Sequence, residues 1–63
     1  MWYDKDMDKK EIKRLREMMG LSQQKFATKL GVGIVTVNRW ESGKTIPSSL
    51  AEEKLIRMSK RYS

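Results

Sequence analysis

Apolar residues along this chain fall into four groups, each with helical spacing and each bounded by glycine, serine or proline. Asp8 and Glu11 stand at capping-box spacing, and Ile12, Leu15, Met18 and Met19 follow at helical intervals up to Gly20. That pattern predicts a first helix over about 9–19. Ser22 is the cap of a second, short helix over 23–30. Leu21 and Phe26 sit at the positions of a hydrophobic staple, Phe26, Ala27 and Leu30 form one face, and Gly31 is the stop. Val32 and Val37 repeat the staple spacing around Gly33, opening a third helix over 34–42 with Val37 and Trp40 as its inward stripe and Gly43 at its end. The β-branched run Ile34-Val35-Thr36-Val37 also suits a strand.

Ile46-Pro47-Ser48-Ser49 reads as a loop into a fourth helix over 49–61, with Ser49 and Glu52 at capping-box spacing. Leu50, Ala51, Leu55 and Met58 share one side, Tyr62 continues it, and Ile56 lies off it. Lys60 and Arg61 suit the negative pole of that helix. Residues 1–7 have no period and are expected to form a flexible tail, unless Trp2 and Tyr3 fold back onto the core. The expectation is therefore an all-α, compact four-helix domain over 8–63.

Length adds a constraint. A chain of 63 residues buries only about 60% of its unfolded surface, and without cysteine it has no disulfide or thiolate metal site as a staple. Stability must come from short helices, good caps and a compact core. Charge adds a direction. Fourteen Lys and Arg against eight Asp and Glu, with no His, give a net charge of +6. Acids crowd the start (Asp4, Asp6, Asp8, Glu11, Glu17), whereas from Met18 to Ala51 the only acid is Glu41, against Lys25, Lys29, Arg39 and Lys44. A cationic middle favours an anionic partner.

Other function classes find little support. No apolar run is long enough to span a membrane, the start lacks a signal-peptide pattern, and the absence of cysteine fits a cytoplasmic location. With no His or Cys and no paired carboxylates or cleft lysine in evidence, an enzyme is not expected, nor is a metal or other cofactor. The five methionines read as core filler.

The second and third helices are joined by a short, glycine-containing turn, which is the helix-turn-helix arrangement. Two steeply crossing helices need a small residue where their backbones approach, and Ala27 stands there. Their tight turn needs a residue that tolerates positive φ, and Gly31 supplies it. Phe26, Leu30, Val32, Val37 and Trp40 would then face a shared core. Leu21-Ser22-Gln23-Gln24-Lys25-Phe26-Ala27, Lys29-Leu30-Gly31-Val32 and Asn38-Arg39-Trp40-Glu41-Ser42-Gly43-Lys44 together resemble the Cro/C1-type helix-turn-helix family, lambda-repressor-like in fold, over roughly Ile12 to Met58.

That resemblance implies double-stranded DNA as partner and a transcriptional regulator, a repressor by expectation, bound as a homodimer. It implies that Ile34, Val35, Thr36 and Arg39 face base edges in the major groove. Gln23, Ser42, Lys44 and Thr45 would hold the phosphate backbone, with Asn38 beside them on the outward side. Arg16 and Glu41 match a pair that ties the first helix to the end of the third. A helical wheel with Val37 and Trp40 inward independently puts Val35, Asn38, Arg39 and Ser42 outward, with Ile34 and Thr36 on the flanks. Arginine can bond guanine O6 and N7 together, whereas valine and isoleucine can only touch a thymine methyl.

The chain departs from the family at three places. Gly33 replaces the usual Ser or Thr cap, Ile34 and Val35 replace polar residues, and the chain ends about where a fifth helix would follow, as a stripped-down version or a cut domain would. Lys25 and Lys29 read as solvated lysines. The apolar Ile34-Val35 pair supports a second reading, a protein-interaction adaptor on the same fold with a partner helix or peptide on that face. Separately, a toxin or regulator as protein partner, with the chain as an autoregulating antitoxin, is compatible with this domain type. RNA binding has less behind it, since no aromatic platform stands outside Trp2 and Tyr3.

Overall fold

The computed structural model describes residues 8–62, so the tail expected over 1–7, with Trp2 and Tyr3, lies outside the described residues, as does the Tyr62 side chain. Among the described residues there are four helices and no strand: α1 (Lys9–Met18), α2 (Gln23–Leu30), α3 (Ile34–Ser42) and α4 (Ser49–Tyr62). The β-branched run at the start of α3 is helical, because its neighbours Val37 and Trp40 bury together only at helical spacing.

Local chemistry sets most helix ends. The Asp8 carboxylate accepts from the Glu11 N–H at 2.9 Å and the Glu11 carboxylate accepts from the Asp8 N–H at 3.2 Å, a reciprocal capping box. The Ser22 hydroxyl accepts from the Lys25 N–H at 3.2 Å. Gly31 ends α2 at φ 80°, which lets the Val32 N–H reach back to the Ala27 carbonyl at 3.0 Å. The same six-residue closure follows α1, from Leu21 to Arg16, and α3, from Lys44 to Arg39. Leu21 and Val32, the donors of the first two closures, pack against the core.

Two ends differ from expectation. Met19 is the cap of α1 rather than its last residue. At α4 the Ser48 hydroxyl accepts from the Ala51 N–H at 3.3 Å, so Ser48 is the cap and Ser49 is the first helical residue. Helix four runs to Tyr62, one residue beyond its expected end.

The core consists of Ile12 and Leu15 from α1, Phe26, Ala27 and Leu30 from α2, Val37 and Trp40 from α3, and Ala51 and Leu55 from α4. α3 packs against both α2 and α1, and α1 also packs against α4. Phe26, Ala27, Val37 and Leu55 are completely buried, and Ala27 in particular adds no bulk between its helix and its neighbours. One methionine and one leucine correct the sequence reading. Met18 is 53% exposed while Met19 packs on the core, and Leu50 is 65% exposed. The inward stripe of α4 is Ala51, Leu55 and Met58, and Leu50 stands about 100° round the helix from Ala51, enough to turn it out. Ile56, expected off the stripe, is half-buried.

The contrast within α4 gives a direct check on the packing. Leu55→Ala is expected to lower unfolding free energy by about 2–5 kcal/mol, most of what so short a chain has, whereas Leu50→Ala stays within about 0.5 kcal/mol of the parent. Urea titration followed by far-ultraviolet circular dichroism measures both. Equal losses would mean that α4 is rotated from this packing.

Candidate nucleic-acid interface

α3 buries Val37 and Trp40 and therefore presents the opposite side to solvent. Ile34 is 41% exposed and Val35 58%, Asn38, Arg39 and Ser42 are exposed, and Thr36 is half-buried on the flank. The Arg39 guanidinium has no hydrogen bond or ion pair among the described residues, so its planar set of donors stands in water. Gly33 contributes no side-chain cap, and α3 opens on the Gly33 carbonyl accepting from the Thr36 and Val37 N–H groups at 3.1 and 3.3 Å. Space around Gly33 is open, with nothing within 4 Å of where a Cβ would lie.

At the other end of α3 the chain turns at Gly43 (φ 82°) into the exposed residues Lys44 and Thr45. The Lys9 side chain lies over this turn, its Cδ 3.1 Å from the position a Gly43 Cβ would take. A cation there faces the carbonyl pole of α3 and adds to the positive character of the turn. Nothing local in the sequence links Lys9 to Gly43; only the packing of α1 on α3 does. The Ser42 hydroxyl donates to the Arg39 carbonyl at 3.2 Å, so its proton is used inside the helix.

Beneath this surface lies a polar node. Arg16 Nε and Nη2 donate to the two Glu41 carboxylate oxygens at 2.7 and 3.1 Å, and Nη1 donates to the Leu21 carbonyl at 2.9 Å. The Gln23 amide donates to Glu41 Oε1 at 3.1 Å. Arg16 therefore joins α1, the α1–α2 turn and α3, and Gln23 adds the start of α2. The side chains of Arg16 and Glu41 are only 15% and 6% exposed. Their hydrogen bonds hold the Arg16 pKa above its already high ordinary value, against the opposing effect of burial. Gln23, read from the sequence as a phosphate contact, is thus half-buried and bonded to Glu41, with its second amide hydrogen as the one left to offer.

The structure places Ile34, Val35, Asn38, Arg39 and Ser42 along one face, with Lys44 and Thr45 just beyond its end and Thr36 at its edge. Glu41, the acid among these residues, is turned inward and neutralised. The surface left is cationic and partly apolar, a shape and charge suited to a groove lined by phosphates.

A family model described as helix-turn-helix matches residues 12–62, the family expected from the motifs between Leu21 and Lys44. The chain is 48% identical over 48 residues to the protein named "Uncharacterized HTH-type transcriptional regulator YiaG" in Escherichia coli strain K12. The same identity holds for the proteins of that name in Escherichia coli O6:H1 and O157:H7. In each case the alignment covers 76% of this chain and 49% of the relative, so the chain spans about half the length of the curated relatives it matches. No solved structure matches the chain.

The node is testable apart from any ligand. Arg16→Met or Glu41→Leu alone leaves a nearly buried charge unpaired and is expected to cost about 2–4 kcal/mol, while the double substitution recovers most of that loss. Chemical denaturation of the four proteins yields the coupling. Additive losses would mean that the two side chains do not act as a pair.

Proposed function

Because this chain belongs to the helix-turn-helix family, we propose that it binds double-stranded DNA as a transcriptional regulator, with α3 lying in the major groove. The observation that carries this reading is the outward face of α3, where an unpaired Arg39 stands among exposed neighbours and the nearby carboxylate of Glu41 is withdrawn. An arginine so placed donates two hydrogen bonds to guanine O6 and N7. Lys44, Thr45 and Asn38 bind phosphates on either side, and Gln23 adds its free amide hydrogen. Ser42 contributes once its hydroxyl turns away from the Arg39 carbonyl.

Val35 and Ile34 read bases by apolar contact, which selects thymine for its methyl group. Thr36 touches the groove edge. A single module of this size covers a modest area of DNA, so the operator is bound by a homodimer on half-sites about 34–36 Å apart. Occupying the groove in this way excludes other proteins, and repression is the simplest result. The names of the Escherichia coli relatives, which call them transcriptional regulators, support the reading.

A second reading has one observation in its favour. Ile34 and Val35 are adjacent and both exposed, as a protein-docking patch would be. On that reading a helix or peptide of a partner protein occupies this face, and binding responds little to salt.

Fluorescence anisotropy with labelled duplex DNA separates the two. Only cationic contacts release counterions, so with Lys44 of each protomer on a phosphate, affinity is expected to fall by about tenfold between 50 and 200 mM salt. Arg39→Ala, which should remain folded, is expected to weaken specific binding by roughly five- to a hundredfold. No binding even at low salt would leave the adaptor reading in place.

Thymine recognition has its own test. Replacing the thymines of a bound site by deoxyuridine removes only the methyl groups, and each methyl held by Val35 or Ile34 is expected to be worth about fourfold in affinity, at roughly 0.8 kcal/mol per buried carbon. Equal binding of the two duplexes would show that these side chains do not touch thymine.

A further inference from the structure

Away from the residues assigned to DNA, two neighbouring depressions share Leu30 and Lys54 and form one groove between α4 and the C-terminal end of α2. One half is apolar, with Val32 and Leu50 as its walls and Ala51 in its floor. The other half, about 320 Å³, is ringed by Lys29, Arg57 and Arg61 over Met58. Positions 50, 54, 57 and 61 recur at intervals of four, three and four, so the α4 wall is a single stripe roughly 16 Å long.

We propose that this groove binds an acidic amphipathic segment of a partner protein, its apolar side chains against Leu50 and Val32 and its carboxylates against Lys29, Arg57 and Arg61. Charge complementarity carries the assignment. Among the described residues no carboxylate lines either half of the groove. Lys29, Arg57 and Arg61 have no ion pair or side-chain hydrogen bond among the described residues, so three cations line the groove without a direct partner. Lys54 does have a partner. It donates to the Leu30 carbonyl at 3.3 Å, which pins α4 to the end of α2 and keeps the groove open between them.

The apolar half decides between partners. A leucine that is 65% exposed beside a half-buried valine gains nothing from a phosphate backbone, whereas it can be covered by a partner's leucine or phenylalanine. The walls come from α2, the α2–α3 turn and α4, and none of them from the outward face of α3. A regulator can therefore hold DNA and this partner at once. Three turns of helix or a shorter extended stretch would fill the length available.

The test uses a fluorescein-labelled synthetic peptide about twelve residues long, helical, with leucines along its first half and glutamates along its second. A matched peptide has lysines in place of the glutamates. Anisotropy is measured with the parent chain, with the double variant Arg57→Glu and Arg61→Glu, with Lys29→Glu, and with Arg39→Ala. The parent is expected to bind the acidic peptide and not the basic one. The double charge reversal should weaken binding by at least about tenfold and Lys29→Glu by about threefold, while Arg39→Ala leaves it unchanged. Lys29→Glu lies on another helix and serves if the α4 variant fails to fold.

Absence of acidic-peptide binding to the parent, or equal binding by the charge-reversed chains, overturns the proposal. So does a loss of duplex DNA binding in the charge-reversed chains as large as that in Arg39→Ala, since the groove would then belong to the nucleic acid. Failure of DNA binding in the parent alone would count against the regulator reading and leave the peptide result standing.

Discussion

Glu41 occupies a position with two electrostatic costs. It lies in the last turn of α3, where the helix carbonyls already make the environment negative, and its side chain is almost fully withdrawn from water. Both costs are met by Arg16, which grips the carboxylate with two hydrogen bonds, and by Gln23, which adds a third. Arg16 is itself in the last turn of α1, where a cation is welcome, and its remaining nitrogen closes the α1–α2 turn through the Leu21 carbonyl. One acid thus gathers α1, α2 and α3 in a chain that has no disulfide and, among the described residues, a core of nine side chains. A buried ion pair of this kind adds little net stability over an apolar substitute. Its contribution is geometric, because a planar guanidinium and a carboxylate meet in few orientations.

That geometry governs the surface above it. Drawing Glu41 inward removes a negative charge from the edge of the face that carries Arg39 and Asn38. It also fixes where α3 ends relative to α1, and hence where Lys9 meets the Gly43 turn. The same bonds restrain Gln23, so a residue at the start of α2 that could reach outward is partly committed inward. The exposed cations need no such restraint. Arg39 and Lys44 are exposed and have no ion pair among the described residues.

Most of the fold was legible because its determinants are local. The Asp8–Glu11 box, the Ser22 cap, the glycine stops and the apolar periods all act within a few residues of themselves. Where two local solutions competed, the pattern failed to choose. Ser48 and Ser49 are both good caps, and the structure uses Ser48, whose hydroxyl accepts from the Ala51 N–H. Leu50 and Met18 were misread for a related reason, since each lies next to a buried position and a helix face wide enough to include them still looks amphipathic. The outward set on α3 was legible from Val37 and Trp40, as one inward pair determines the opposite side of a short helix. The bond from Gln23 to Glu41 was not, because it joins residues eighteen positions apart and no periodicity encodes it.

The basic stripe on α4 shows the same limit from another side. Leu50, Lys54, Arg57 and Arg61 could have been aligned on a wheel, but the stripe means little until the end of α2 lies beside it. Lys54 reaching the Leu30 carbonyl makes that juxtaposition specific: it gives the last turn of α2 a cation and turns two helix faces into the walls of one groove. The other cations of the groove, Lys29, Arg57 and Arg61, have no ion pair among the described residues. Three cations without an ion pair among the described residues, set beside an exposed leucine, are what distinguish this groove from the rest of the surface of α4.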